Sequence, residues 1–182
     1  MTTKRSDATI ALAAATGVLT GLLVMPARKA LMQAPSLRAK DWVGALTAEH
    51  RIVQHAFQAL LLTTTEDVRK RKLLLAKIAY ALTKHGLEEE NVVYPALFAV
   101  KPNEAKRLSD DHTENKRAIY ALRRMPASDA DWLPTAEAFS HTIDHHIHEE
   151  EDEIFPLLRS ALSAEENKKL AGMLNWEGFK AA

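Results

Sequence analysis

The chain has 182 residues, 47% hydrophobic and 26% charged, with Lys plus Arg balanced against Asp plus Glu at 24 each. That is one domain's length with enough apolar content for a core, and the balanced charge argues against a nucleic-acid footprint or a strongly acidic partner. Because cysteine is absent, disulfides, thiolate zinc, iron–sulfur clusters and thiol catalysis are excluded, so any transition metal must be held by histidine and carboxylate.

Residues 1–35 form an apolar N-terminal segment and linker. From Ala8 to Met25 there is no charge, and eighteen such residues lie at the lower limit for crossing a bilayer. Gly17 and Gly21 make a G-x-x-x-G that permits close helix contact. The stretch reads as a membrane anchor or as a docking or oligomerising helix, ahead of a signal peptide or a disordered leader. If it spans, Arg28, Lys29, Arg38 and Lys40 outweigh Lys4, Arg5 and Asp7 and leave the body in the cytoplasm.

The body, residues 36–162, follows in helical periods. Val43, Leu46, His50, Val53, Phe57 and Leu60 make the first stripe, and Thr63 to Thr65 break it. Glu66 and Asp67 supply the acidic first turn of a second helix, whose stripe is Leu74, Ile78, Leu82, His85, Glu89, Val92 and Ala96. Pro95 should kink or end that helix. The third stripe is Ala105, Leu108, His112, Asn115, Ile119 and Leu122. Ser128 and Asp131 form an approximate capping box for the fourth helix, with stripe Phe139, Ile143, His146, Glu150, Ile154 and Leu157. Ser163 and Glu166 cap a short fifth helix, in residues 163–182, through Leu170, Met173 and Leu174. Trp42, Trp132 and Trp176 read as packing anchors. Nothing reads as a strand, so the expected fold is all-α: an antiparallel up-down-up-down four-helix bundle with an extra N-terminal segment and a short C-terminal helix.

Two of these helices carry the same pattern. His85, Glu89, Tyr94 and Pro95 repeat as His146, Glu150, Phe155 and Pro156, each reading H-x3-E-x4-aromatic-Pro, 61 residues apart. Histidine and glutamate four apart on a helix point the same way and can grip one cation. His50 precedes His85 by 35 residues and His112 precedes His146 by 34. Each half is therefore a helix hairpin with one histidine on its first helix and H-x3-E on its second. Pairing the hairpins about a pseudo-twofold brings four histidines and two glutamates to one level of the core. A buried carboxylate without a partner costs several kcal/mol, so Glu89 and Glu150 need a cation. The neighbouring pair His145/Glu149 lies on a mostly polar stripe, so His141, His145 and His148 read as surface residues, with His141 an outer-layer candidate. Glu88, Glu90, Glu149, Glu151 and Glu153 read as a solvated acidic rim, with a metal access path or auxiliary carboxylates as the functional alternative.

These residues, His50, His85/Glu89, His112 and His146/Glu150, resemble the hemerythrin-type HHE cation-binding domain over roughly residues 38 to 162. The resemblance implies a four-helix bundle holding two non-haem irons bridged by carboxylates and an oxo or hydroxo group. It also implies that Glu89 and Glu150 bridge the irons while the four histidines are terminal ligands. Members bind dioxygen, sense oxygen or iron, or handle nitric oxide and peroxide. Oxygen carriers have H-x3-H on the third helix, whereas here Lys116 follows His112 by four, which points away from a dedicated carrier. The expected ligand is a small diatomic or peroxide, met by sensing, scavenging or redox chemistry. An iron-responsive or iron-holding module read by a partner protein is the alternative. No Ser-His-Asp set, P-loop or nucleotide fingerprint suggests an enzyme of another kind.

Overall fold

A computed structural model describes residue 39 and residues 41–182; the expectations placed on residues 1–35 lie outside it. Among the described residues every regular element is helical. Helix α1 runs Trp42–Leu61, and α2 runs Val68–Glu88, continuing through a π-helical turn at Glu89–Val93 into α3, Tyr94–Phe98. Helix α4 is Pro102–Arg124. Helix α5, Trp132–Glu149, passes through a second π-helical turn at Glu150–Ile154 into α6, Phe155–Ala161. Helix α7 is Ala164–Ala181. The short connections make neighbours antiparallel. Helix α1 packs on α2 and α5, and α4 packs on the same two, which closes a four-helix bundle; α7 lies against α1 and α2. None of the described helices is long and apolar enough to cross a membrane.

Local chemistry accounts for the ends. Asp41 caps α1 by accepting the Gly44 N–H at 2.9 Å. Pro102 opens α4 at a position where its missing N–H costs nothing. Ser163 and Glu166 close the expected capping box on α7, although that helix runs to Ala181 rather than staying short. The Ser128–Asp131 box does not form: α5 starts at Trp132 after Asp131, which makes no side-chain cap, while Asp129 accepts the Asp131 N–H. Glu66 and Asp67 precede α2 instead of entering its first turn; the Asp67 carboxylate accepts from Thr64 N and Oγ1, tying the loop.

Pro95 and Pro156 do not end their helices. In each, the turn before the proline widens, so the Tyr94 N–H reaches back five residues to the Glu89 carbonyl and the Phe155 N–H to that of Glu150. The extra residue advances the buried face by one: Leu97 and Leu158 are buried where Ala96 and Leu157 were expected. The other expected stripes lie inward, with Val43, Leu74 and Leu82 partly buried, except that Met173 of the last helix is exposed. Trp42 and Trp132 are buried, but Trp176 is 63% exposed, stacked on Phe179 of its own helix and outside the core.

The core is in two parts. One holds Phe57, Leu60, Ile78, Leu122, Trp132 and Phe139; the other holds Trp42, Leu46, Leu97, Leu108, Phe155 and Leu158. Each fully buried Leu, Ile or Phe contributes about 1.5–3 kcal/mol. Between them lies a polar layer.

Candidate metal centre

That layer contains all six residues picked out by the repeat. His50, His85, Glu89, His112, His146 and Glu150 are all buried, whereas His141, His145 and His148 are exposed. Ligand-capable atoms of His50, His85, Glu89 and Glu150 lie within 4.8 Å of one another, and so do those of Glu89, His112 and His146. Glu89 thus belongs to both groups. Its Oε2 is 3.1 Å from His85 Nε2 and 3.3 Å from His112 Nε2. Glu150 spans the same gap with its two oxygens, Oε2 3.3 Å from His50 Nε2 and Oε1 3.4 Å from His146 Nε2. The Nε2 atoms of His50 and His85 converge to 2.9 Å.

The donor set behaves as one awaiting a cation. Glu89 Oε1, Glu150 Oε2 and both ring nitrogens of His146 are buried and form no hydrogen bond with the described residues. Leaving buried carboxylates and imidazoles unpaired is costly, and nitrogen and oxygen donors without sulfur suit iron, manganese or zinc. The six residues therefore offer two overlapping donor groups that could hold a cation, His50, His85, Glu89 and Glu150 in one and Glu89, His112 and His146 in the other.

Each imidazole is backed by a carboxylate, and each carboxylate by a cation. His50 Nδ1 is 2.8 Å from Glu151, which pairs with Arg51; His85 Nδ1 is 3.3 Å from Glu49, which pairs with Lys84. His112 Nδ1 is 3.0 Å from Glu90, paired with Lys116; His146 Nδ1 is 3.7 Å from Asp111, paired with Arg107. Arg107 also meets Glu149. A carboxylate within hydrogen-bond distance, as at His50, His85 and His112, can hold the Nδ1 proton on the outside and leave Nε2 to a cation; Asp111 is too far from His146 Nδ1 to do so. Lys116 thus points to Glu90 and not into the centre.

Glu90 and Glu151 belong to the acidic rim, and here the auxiliary-carboxylate alternative rather than the solvated one describes them; Glu49 and Asp111 are not among the residues that the sequence reading singles out. The signal was present: Glu49 and Asp111 each precede the lone histidine, and Glu90 and Glu151 each follow the shared glutamate. Of the rest of the rim, Glu88 is buried on Lys84 and Glu153 is exposed. Tyr94, the aromatic of the first repeat, also enters the centre. Its hydroxyl donates to Glu150 Oε1 at 2.7 Å and lies 3.1 Å from His112 Nε2.

Electrostatics follow from burial and proximity. Burial works against the charged forms of the histidines, but the Glu89 charge and the Glu49 contact hold His85 well above its usual value. Against the same penalty, hydrogen bonds to Glu89 and Glu90 bring His112 to about 9. Glu89 is driven well below the carboxylate range by His85 and His112 despite its burial. Burial, then the Glu150 and Glu89 charges, keeps the Tyr94 hydroxyl protonated. Without a metal, protons on His85 and His112 neutralise Glu89, and a cation must displace them.

Beside the histidines lies a cavity of about 30 Å³, walled by Val53, Leu82, Ile119, Ile143 and Ile147. It has room for about two water-sized particles.

Comparison with known proteins agrees with this arrangement. The Hemerythrin HHE cation binding domain profile matches residues 43–158. An uncharacterized hemerythrin-like protein of Schizosaccharomyces pombe is 27% identical over 131 residues, 70% of this chain and 64% of that one. A protein of Nostoc named DNA nickase is 25% identical over 122 residues, 66% of this chain and 33% of its own. The chain thus spans less than two thirds of either relative. A crystal structure of a hemerythrin HHE cation binding domain-containing protein from Mycobacterium kansasii superposes with a TM-score of 0.69 at 18% identity, covering 79% of this chain and 88% of that one. At that identity the likeness speaks for the fold.

Proposed function

The chain belongs to the hemerythrin HHE cation-binding family, and from that premise we propose that it holds two iron ions and binds or reacts with small oxidants such as O2, NO or peroxide. One observation carries this reading: two histidine pairs flank two carboxylates, each with one buried oxygen that forms no hydrogen bond with the described residues. Two irons joined in this way can together supply the two electrons that reduce a small oxidant.

The chain's own residues set the conditions. His50, His85, His112 and His146 present Nε2 while their backing carboxylates fix the rings. Tyr94 holds a proton 2.7 Å from Glu150 Oε1, a hydrogen-bond donor inside an otherwise acceptor-rich site. The cavity's mostly aliphatic wall leaves room for only about two waters beside the centre. The test is iron content together with the optical spectrum of anaerobically reduced protein after O2 is admitted. Two irons per chain and a new charge-transfer absorption are expected; a spectrum unchanged by O2 refutes the oxidant reading.

A second reading makes the loaded state itself the output, an iron-responsive or iron-holding module read by a partner. The position of Glu89 and Glu150 between the two core clusters favours it, since loading would neutralise charge in the middle of the bundle. Equal thermal stability with and without iron rules it out.

A further inference from the structure

The repeat that relates the two halves of the centre also relates the two flanks of the cavity, and there the halves differ. The cavity touches all four bundle helices, yet its exposed wall residues are Thr83 on α2 and Lys116 on α4. Between them lies Gly86, where a Cβ would stand 3.3 Å from His112 Nδ1, so the imidazole rests against bare backbone. On the opposite flank, between α1 and α5, the residues in equivalent places are Asp144, Gln54 and Ile147. Ile147 is buried and puts a branched side chain where Gly86 has none. Gln54 Nε2 donates to Asp144 Oδ1 at 3.1 Å, joining the two helices at the level of the cavity, whereas Lys116 pairs with Glu90 in the π-helical turn beyond α2 and Thr83 turns back to the Ala79 carbonyl of its own helix. The inner wall differs too: buried Asn115 lines the α4 side where its equivalent on α1 is Val53.

We propose that small ligands reach the centre by one route, between α2 and α4 past Thr83, Lys116 and Gly86, and arrive on the His112 side. This rests on the paired-metal reading and adds to it the path, the receiving half and the class of ligand. The cavity limits the ligand to two or three heavy atoms. Asn115 gives the route an amide that can meet a lone pair, and Lys116 places a cation at its mouth. The α1/α5 flank is sealed.

Azide is a suitable probe, mixed by stopped flow with iron-loaded, air-oxidised full-length protein, with iron content measured on every sample. Thr83→Trp, at the exposed mouth, is expected to slow azide association about tenfold with iron content unchanged. Asp144→Trp, its counterpart on the sealed flank, is expected to leave the rate within about twofold. Gly86→Ala, which narrows the inner end, is expected to weaken equilibrium azide binding about tenfold. Equal rates in the two tryptophan variants, or slowing in Asp144→Trp alone, overturns the route. Iron-loaded wild-type protein that ignores azide overturns it as well. Fewer than two irons per wild-type chain counts instead against the paired-metal reading, and the relative rates still decide the route.

Discussion

The four carboxylates behind the histidines offer a graded test, because their distances from Nδ1 differ. Glu151 stands at 2.8 Å, Glu90 at 3.0 Å, Glu49 at 3.3 Å and Asp111 at 3.7 Å. Replacing each by its amide keeps the shape and removes the charge. A carboxylate behind a ligating imidazole is worth about 10–100-fold in metal affinity, or about 1.4–2.7 kcal/mol. Glu151→Gln and Glu90→Gln give up short charge-assisted bonds to buried rings and should fall in the upper part of that range. Asp111 is beyond hydrogen-bond distance and 38% exposed, so solvent screens it, and Asp111→Asn should cost less than about threefold. Glu49→Gln should fall between, near about tenfold, and should also destabilise the fold, because Glu49 partners buried Lys84 at 2.5 Å. Anaerobic competition for iron(II) against a chromophoric chelator at fixed pH measures the order, with circular dichroism confirming the fold. An equal loss in all four variants, or the largest loss in Asp111→Asn, refutes the argument that these carboxylates act through the imidazoles.

His85→Ala and Glu89→Ala should strip metal while exposed His145→Ala keeps it; equal metal content in the His145→Ala and His146→Ala variants breaks the register. His112 is raised to about 9 in the metal-free fold, so its contribution to stability is complete below pH 6.5 and is lost as pH rises through about 9. The midpoint of thermal unfolding of metal-free protein should therefore fall between pH 6.5 and 9.5, more steeply than that of loaded protein, and parallel curves would contradict this. At the far end of the bundle, buried Arg71 donates to Thr63 Oγ1 and to the Ala127 carbonyl and lies 5.2 Å over Trp132. Arg71→Ala should cost about 2–4 kcal/mol in urea unfolding without changing metal content, since it leaves buried acceptors unpaired; a loss under about 0.5 kcal/mol refutes that role.

Much of the bundle was legible because periodicity and charge placement agree. Helix α4 has its whole expected stripe inward, from Ala105 to Leu122. The choice of His146 over His145 followed from the company each keeps on the helix, and burial separates them in the same way. What escaped was whatever departs from a uniform 3.6-residue period. The π-helical turns displace the face after each H-x3-E element, so Leu97 and Leu158 replace Ala96 and Leu157. Pro95 and Pro156 mark those turns, but a proline signals only that the ladder of N–H bonds is interrupted, not how the helix answers. The backing role was legible only as an alternative at Glu90 and Glu151, and not at Glu49 and Asp111, for a different reason. A charged residue beside a core histidine looks solvated until the packing of the next helix is known, and Glu90 and Glu151 each serve a histidine across a helix interface.

His85 and Glu89 come from the first hairpin, His146 and Glu150 from the second, and Glu89 and Glu150 each face histidines of both. A cation held between them is a cross-link in a chain that has no cysteine. It joins points as far apart as His50 and Glu150, closing a loop about as long as the bundle itself, and a covalent tie around a loop of about 100 residues removes about 4.7 kcal/mol of unfolded-chain entropy. Such a cation would do for the two hairpins what a disulfide does in a secreted domain. Unlike a disulfide, it could be withdrawn by a chelator without any change of thiol redox state.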